Sequence, residues 1–288
     1  GADTLILADS VCRTPIFLFE NLKDMADFSE WLKSNFEKIK TAAESTTRHG
    51  KLLEISQYPV GSKLCLRFSY FCGDASGQNM STIATHKALE FIKQEYKGNI
   101  SDYFLECNLS GDKKVNAINF TQNRGKKVTA EVTLCEEILK NILNTTAERM
   151  HKVYEVSVIG MQQAHSYGLQ AHYSNAFTAL YIACGQDPAC AAESACGITN
   201  IEKTGSGIKI SVTLPGIMVG TVGGGTKLPT QKACLEILKC AGEGGALKLA
   251  EITAAAVLAG EISLIAAMAS DEFTSAHSNY GRNAGARS

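Results

Sequence analysis

An apolar segment with polar ends, residues 170–187, constrains the fold more than any other part of the sequence. Its apolar side chains recur at helical spacing and are Phe177, Leu180, Tyr181 and Ile182. Gly185 stands where such a helix would end, and Asp187 follows it. His172 and Asn175 form a polar pair in the first turn. Because buried polar groups need hydrogen-bond partners, the segment predicts a buried helix whose polar pair belongs either to a core network or to a functional site.

Composition excludes several classes of protein. The chain has 288 residues, 45% of them hydrophobic and 20% charged, which is typical of a globular protein with one large or two modest cores. Its net charge of -1 lacks the basic surplus that a general nucleic-acid binder needs. The ten cysteines include no C-x-x-C pair and no metal-ligand spacing, so we expect reduced thiols and no metal site. The longest apolar run, residues 252–260, is too short to span a bilayer, and no signal peptide is visible.

Hydrophobic periodicity predicts regular elements along the rest of the chain. Helices are predicted over residues 22–42, 81–96, 136–151, 230–240 and 246–270. Strands are predicted at residues 64–68, 104–106, 118–120 and 128–132, and a buried strand pair at 208–214 and 217–219. An irregular stretch is expected between residue 151 and the central helix.

Two glycine-rich segments and two polar loops are candidates for ligand binding. Residues 73–80 form a polar turn that opens a helix, where free backbone N–H groups and the helix dipole can hold an anion. Residues 220–226 contain three consecutive glycines, which implies close approach to another chain or to a ligand. Residues 45–48 offer hydroxyls and a guanidinium that suit a phosphate monoester. A lysine of the 110–114 loop would stabilise an oxyanion if it turned inward. Ordinary surface loops show the same patterns, so none of them decides the function alone.

The order in which these motifs occur resembles that of one enzyme family. The motifs are residues 73–80 (GDASGQNM), 112–114 (DKK), 172–175 (HYSN), 184–187 (CGQD), 220–226 (GTVGGGT), 259–264 (AGEISL) and the terminal His277. Together they resemble the catalytic domain of 3-hydroxy-3-methylglutaryl-CoA (HMG-CoA) reductase, and its class I form in particular. The resemblance covers essentially the whole chain. It implies an NADPH-dependent enzyme that reduces HMG-CoA to mevalonate and free CoA in two hydride transfers.

The resemblance also implies a fold and its division into domains. We expect an α+β fold, in which a large helix-rich domain contains an inserted, small ferredoxin-like α+β domain that binds NADPH. The expected parts are residues 1–17 (start of the large domain), 18–107 (small domain), 108–117 (loop that closes over the substrate) and 118–288 (large catalytic domain). The family pattern begins before Gly1, so we expect a preceding segment that carries the catalytic glutamate.

The resemblance assigns roles to individual residues. The expected catalytic residues are Lys113, Asp187 and His277. The expected substrate contacts are Arg13, Ser110, Asp112, Lys114, His172, Asn175 and Leu264. The expected NADPH contacts are Thr47, Arg48, Asp74, Ala75, Ser76, Gly77, Gln78, Asn79 and Arg282.

The reaction accounts for these residue types. Hydride attack on a thioester builds negative charge on the carbonyl oxygen, which Lys113 would stabilise. Asp187 would hold that lysine charged and oriented. The departing CoA thiolate needs a proton, and the imidazole of His277 titrates in the right range.

Helix geometry adds an expectation about assembly. In a straight helix, His172 and Asp187 would lie about 22 Å apart, too far for one pocket of one chain. A site shared between subunits therefore predicts a homodimer or a dimer of dimers, with HMG-CoA and CoA as ligands. We expect no nucleic-acid partner, no membrane segment in this chain and a cytoplasmic location, whether or not the parent protein is anchored to the endoplasmic reticulum.

Departures from the family pattern leave an alternative open. Ser110 and Gly111 run directly into Asp112, where the family has a longer loop, and Ala276 stands where a serine usually precedes the histidine. The alternative is a catalytically impaired relative or fragment that retains nucleotide or CoA binding and has a regulatory or interaction role.

Overall fold

A mixed α/β architecture with an antiparallel sheet is seen in the computed structural model, which describes residues 1–166 and 168–270. The strands are β1 (Asp3–Arg13), β2 (Ile16–Leu18), β3 (Lys51–Val60), β4 (Lys63–Phe71), β5 (Asp102–Phe104), β6 (Gly125–Cys135), β7 (Ile198–Thr204) and β8 (Gly207–Ile217). The helices are α1 (Leu22–Ser34), α2 (Phe36–Glu44), α3 (Gln78–Glu95), α4 (Ile118–Gln122), α5 (Glu136–Asn141), α6 (Ala147–Ala164), α7 (Tyr173–Ala183), α8 (Ala191–Ser194), α9 (Pro229–Ile237) and α10 (Ala246–Ala269). The strand order is β5-β2-β4-β1-β6-β8-β7, and β3 pairs with β4.

Strand β1 joins the two halves of the sheet. Its residues up to Ser10 pair with β6, whereas Val11, Cys12 and Arg13 pair with β4. The backbone of Thr14 then binds the segment that follows β5, because its carbonyl accepts a hydrogen bond of 2.9 Å from the Cys107 N–H. Strand β1 therefore carries Arg13 to the junction between the sheet halves.

The first half, residues 16–104, forms one antiparallel unit around an aromatic core. In chain order its elements are a strand, two helices, two strands, a helix and a strand, and the sheet order within it is β5-β2-β4-β3. Helix α2 packs against α3. Phe17 and Phe28 are fully buried, with ring centroids 4.6 Å apart. This unit ends just before the loop that carries Asp112.

The second half packs helix α10 against the sheet formed by β1, β6 and β8, and against α6 and α7. Helix α10 is long and apolar enough, by length and composition, to cross a membrane. Leu249, Val257 and Ile265 are nevertheless buried against the rest of the protein. Such packing is typical of the central helix of a globular core.

Two predicted helices are broken in the structure. The helix predicted over residues 22–42 ends at Ser34, because Asn35 closes it with bonds from its backbone and side-chain N–H groups to the Trp31 carbonyl. The helix predicted over residues 136–151 stops at Asn141. A new helix, α6, starts after Thr146, whose hydroxyl accepts a bond from the Arg149 N–H. Helix α6 then fills the stretch that the sequence had suggested to be irregular.

Strand predictions were wrong at two places. Residues 118–120 form helix α4 rather than a strand, since periodicity cannot distinguish the two in so short an apolar run. The strand pair predicted within residues 208–219 is the single strand β8. Its partners are β6 and the unpredicted strand β7.

Candidate active site

The two glycine-rich segments line one cavity of about 640 Å³. Its lining includes residues 75–80, with the start of helix α3, and residues 185–188 with most of the 220–226 segment. Gly77 precedes α3 with φ +83° and has no side chain to cap the helix. Gly77 therefore leaves the first N–H groups of α3 without a side-chain cap, the feature from which the sequence predicts an anion site.

Close approach within the triple-glycine motif is to the same chain. A Cβ at Gly220 would lie 2.5 Å from the Ser76 backbone nitrogen, and one at Gly225 would lie 2.7 Å from the Gly185 carbonyl oxygen. Gly223 and Gly224 have positive φ and open space beside them. The sequence predicted that these glycines approach either another chain or a ligand. At Gly220 and Gly225 the close approach is to neither, but to backbone of the same chain.

Replacing Gly220 with Ala is expected to destabilise the protein by about 1–3 kcal/mol, because the new methyl group meets backbone that cannot move aside easily. Urea unfolding measures the change. Gly205→Ala is the matched control, since a Cβ there meets nothing within 4 Å. Equal stability of the two variants would contradict the close approach at Gly220.

Three of the predicted NADPH contacts do not line this cavity. The carboxylate of Asp74 accepts bonds from the Gly244 N–H (2.8 Å) and the Ala246 N–H (3.1 Å) at the start of α10. Asp74 therefore ties the glycine turn to that helix. Thr47 and the exposed Arg48 lie on a turn beyond the cavity wall. That turn approaches Met80, a wall residue, at Gly50.

Lys113 and Asp187 face each other at the edge of the cavity, as expected. The Lys113 Nζ lies 3.0 Å from the Asp187 Oδ2, and Asp187 lines the cavity. Burial raises the pKa of Asp187, but the bonds from Lys113 and from the Ala189 N–H outweigh burial and leave this pKa lowered. The hydrogen bond to Asp187 raises the pKa of Lys113. Both groups are therefore charged near neutral pH.

Local backbone geometry explains how each partner of this ion pair is presented. Gly111 and Lys113 both have positive φ, so the chain folds back sharply on each side of Asp112. Helix α7 ends with Gly185 at φ +68°, and the Gln186 N–H bonds to the Tyr181 carbonyl at 2.8 Å. This glycine stop ends the helix two residues before Asp187 and turns the chain there.

Arg13 connects the 108–117 loop to the glycine turn. Its NH1 lies 3.1 Å from Glu106 and 3.5 Å from Asp112, and its NH2 donates to the Gln78 carbonyl at 3.4 Å.

Glu106 also accepts bonds from the hydroxyl of the buried Ser110 (3.1 Å) and from Thr14 and Asn108. Burial raises the pKa of Glu106, but these donors outweigh burial and leave it lowered. The exposed Lys114 donates to the Asp112 carbonyl at 3.0 Å. Glu106 carries no motif in the sequence, which shows only its place in a predicted strand.

A buried ion pair lies behind the loop, and sequence reasoning missed it entirely. Arg124 donates to both oxygens of Glu193 at 2.6 Å and to the Asp112 Oδ1 at 2.9 Å. One potential metal-ligand atom each of Asp112, Cys190 and Glu193 lies within 4.8 Å of the others, a spacing that would suit a metal ion. Arg124 already supplies the positive charge to both carboxylates, so we assign no metal there. A lone arginine and a lone glutamate give no sequence signal for such a pair.

His172 precedes α7, at the opposite end of that helix from Asp187. The backbone N–H groups of Ala171 and His172 both donate to the Oε1 of the fully buried Glu261, the first at 2.9 Å. The other oxygen of Glu261 accepts a bond of 3.1 Å from the Thr199 hydroxyl. This network holds the backbone at the helix start but includes neither side chain of the polar pair, and the Nδ1 atom of His172 is buried without a hydrogen-bond partner in the described part of the chain.

The polar pair does not converge with the cavity. Asn175 is exposed and Leu264 is half-buried on α10, and neither lines the cavity. The helix itself is buried on one face only, since Phe177 is fully buried whereas Ile182 is 56% exposed. His277 and Arg282 lie outside the described residues.

Comparisons with known proteins agree closely with one another. The family model for hydroxymethylglutaryl-coenzyme A reductase matches residues 1–282. The HMG-CoA reductase of Methanocaldococcus jannaschii is 43% identical over 98% of this chain and 71% of its own length, and that of Pyrococcus abyssi is 42% identical with the same coverage. HMG-CoA reductase 2 of Dictyostelium discoideum is 39% identical over 98% of this chain and 56% of its own length.

A solved structure shares the fold. The class II HMG-CoA reductase of Streptococcus pneumoniae, determined with NADPH in open conformations, matches with a TM-score of 0.70. The match covers 93% of this chain and 73% of that one at 15% sequence identity. Identity this low supports the common fold and nothing finer.

Proposed function

The chain belongs to the hydroxymethylglutaryl-coenzyme A reductase family, and we propose that it reduces HMG-CoA to mevalonate and free CoA with NADPH. Family membership confirms the resemblance expected from the motifs. The relatives described above carry the name of the enzyme and align with nearly the whole chain. This favours an enzyme over a catalytically impaired relative.

One observation supports the proposed chemistry most directly, namely the Lys113–Asp187 ion pair of 3.0 Å beside a glycine-walled cavity. Lys113 offers an ammonium to the carbonyl oxygen as hydride attack makes that oxygen negative. Asp187 keeps the ammonium protonated and restricts its position. Arg13, Ser110, Asp112 and Lys114 form the loop environment in which we place the HMG group.

The wall of the cavity suits NADPH. The open N-terminus of α3 and the exposed backbone at Gly223 and Gly224 provide N–H groups for an anionic dinucleotide. We assign its contacts to residues 75–79, and the 2′-phosphate to the turn of Thr47 and Arg48. When bound, NADPH supplies the hydride.

Proton transfer is assigned to residues beyond the described part of the structure. We propose that His277 protonates the departing CoA thiolate and that Arg282 belongs to the cofactor site, because the family motifs place them there. The family's glutamate would supply a proton to the reduced carbonyl. A positioned acid–base group of this kind contributes about 10²–10⁴-fold to a rate.

We propose the same domain division as the family. Residues 18–107 would be an inserted, ferredoxin-like NADPH-binding domain, residues 108–117 the closing loop, and residues 1–17 with 118–288 the large domain. The strand order β5-β2-β4-β3 supports this, as does an element order that matches the strand–helix–strand–strand–helix–strand pattern of ferredoxin-like units except that two helices, α1 and α2, follow the first strand.

We also propose a homodimer or a dimer of dimers. Helix α7 separates His172 from Asp187, and the cavity rim exposes Ile182 and Leu228, each 56% accessible. A second subunit would cover this apolar rim and bring a His172 end to it. A monomeric mass in solution with full activity would contradict the dimer.

Because all ten cysteines are free, a reducing compartment such as the cytoplasm suits the chain.

The test of function is an assay of the purified chain. HMG-CoA-dependent oxidation of NADPH is followed by absorbance, and mevalonate is identified by mass spectrometry. We expect NADPH consumption and mevalonate formation in a ratio of two to one. A folded chain that binds NADPH but makes no mevalonate would support the impaired-relative alternative instead.

A further inference from the structure

Arg124 stands out because it is fully buried yet does not serve the packing of the core alone. The residue precedes the paired part of β6, and its guanidinium is 0% exposed. NH1 is committed to Glu193 at 2.6 Å, whereas NH2 reaches outward to the Asp112 Oδ1 at 2.9 Å. The second bond links a buried ion pair to the loop that carries the Lys113 ammonium.

The loop and the segment after α7 are joined by two adjacent ionic connections. Asp112 is held through Arg124 to Glu193, and the next residue, Lys113, is held directly to Asp187. Asp187 and Glu193 belong to one short segment, which continues through a 3₁₀ turn into α8. The first connection is buried, and the second faces the cavity.

The loop needs such a restraint because of its backbone. Lys113 has φ +58°, a conformation that residues other than glycine, asparagine and aspartate rarely adopt. Its side chain is 45% exposed, so packing alone does not fix the position of the ammonium. A fixed carboxylate one residue earlier limits where Lys113 can point.

We propose that Arg124 is a positioning residue which, through Asp112, holds the Lys113 ammonium opposite Asp187. Glu193 keeps the guanidinium of Arg124 in place, and the positive charge of the guanidinium compensates the negative charge of the Glu193 carboxylate. The effect on turnover rests on the proposed function, whereas the effect on Lys113 orientation does not depend on it.

Arg67 provides a matched control. It is also buried, at 1% exposure, and its NH2 donates to the carbonyls of Gln122 and Asn123, immediately before Arg124. Arg67→Met therefore removes a buried arginine from the same region but leaves Asp112 untouched. We expect this variant to lose stability without a selective loss in turnover.

The first measurement follows the reactivity of Lys113. Only a neutral amine reacts with an acylating reagent, and the hydrogen bond to Asp187 keeps the Lys113 amine protonated. In the double variant Arg124→Met/Glu193→Leu, which lacks both members of the buried pair, acylation of Lys113 is expected to be several-fold faster than in wild type, as quantified by mass spectrometry. Remote lysines such as Lys33 should be unaffected, and Arg67→Met should leave the Lys113 rate unchanged. An unchanged Lys113 rate in the double variant would overturn the proposal, whether or not the chain turns over HMG-CoA.

The second measurement separates positioning from stability. Arg124→Met alone leaves Glu193 buried without a counter-ion, so that variant is expected to be unstable. The double variant Arg124→Met/Glu193→Leu removes both charges and should fold normally, because apolar replacement of a buried pair is often neutral. We expect its kcat to fall by about 10²-fold with little change in KM for NADPH, since the cavity walls are intact. A stable double variant with wild-type kcat and wild-type Lys113 acylation would rule the role out. No turnover by the wild-type chain would instead count against the proposed function.

Discussion

Replacement of Lys113 with Met is expected to lower kcat for HMG-CoA reduction by about 10²–10³-fold, the usual loss when one donor to a developing oxyanion is removed. The methionine side chain is of similar length but carries no charge. The carbonyl oxygen would then develop negative charge opposite the unpaired carboxylate of Asp187, which would repel it. Steady-state NADPH oxidation with HMG-CoA gives the change.

A surface ion pair supplies the control for this substitution. Lys203 lies 2.8 Å from Glu148 and has 48% side-chain exposure, close to the 3.0 Å and 45% of Lys113. Lys203→Met removes an equivalent pair away from the cavity, and such exposed pairs contribute about 0–1 kcal/mol to stability. Its kcat should stay at the wild-type level. Similar kcat values for the two variants would show that Lys113 makes no special contribution.

Glu261→Leu is expected to have the largest effect on stability, a loss of about 2–4 kcal/mol. The substitution leaves the N–H groups of Ala171 and His172 and the hydroxyl of Thr199 without their acceptor in a buried site. The two N–H groups lie at the start of α7, so the loss would be felt along the helix that precedes Asp187. Urea unfolding of the purified chain measures the free energy of unfolding.

Glu261→Gln is the companion variant that isolates charge from hydrogen bonding. Its amide oxygen can accept the two backbone bonds, and its NH₂ group can donate to Thr199 in turn, so its stability near pH 7 should stay close to wild type. A loss as large as that of the leucine variant would mean that the carboxylate charge, and not the set of hydrogen bonds, is what the site requires.

The difference in stability between the wild-type protein and Glu261→Gln is expected to depend on pH with a defined sign. Burial raises the pKa of Glu261, only partly opposed by the bonds from His172, Thr199 and Ala171, above its usual value of 4.5. At pH values between 4.5 and the pKa of Glu261 in the folded protein, the folded protein binds more protons than the unfolded chain. The contribution of this group to the free energy of unfolding therefore falls as pH rises. Glu261→Gln lacks this component. Its stability relative to wild type should therefore increase with pH across that window and level off above it, and a parallel pH profile would contradict the raised pKa.

Motifs read from the sequence were sufficient for the family and for the central ion pair. The Gly73–Met80 turn, the triple-glycine segment and the Gly185 stop after α7 each depend on local rules of backbone geometry. Local rules do not change with the tertiary environment, so the glycine turn that opens α3 and the position of Gly185 followed from residue type and spacing. The pairing of Lys113 with Asp187 came from the family resemblance, and the structure agrees with it.

Residues that act across long sequence distances could not be identified in this way. Arg124 and Glu193 are 69 residues apart, and Asp74 binds the start of α10 from 172 residues away. Glu261 caps α7 from a distance of about 90 residues along the chain. In each case the sequence shows a single polar residue with no periodic partner. Its hydrogen bonds exist only after the two segments have packed together.

By itself, then, the sequence determined the reductase family through the motifs that it shares with that family. It also determined the two glycine segments and the helix before Asp187, because these depend on nearest neighbours along the chain. Only the tertiary structure decided that Gly220 approaches Ser76, that Asp74 binds α10 and that Arg124 holds Asp112. The physical reason is that a buried charge or a close backbone contact is satisfied by whatever element folding brings beside it, and spacing in the sequence does not specify that neighbour.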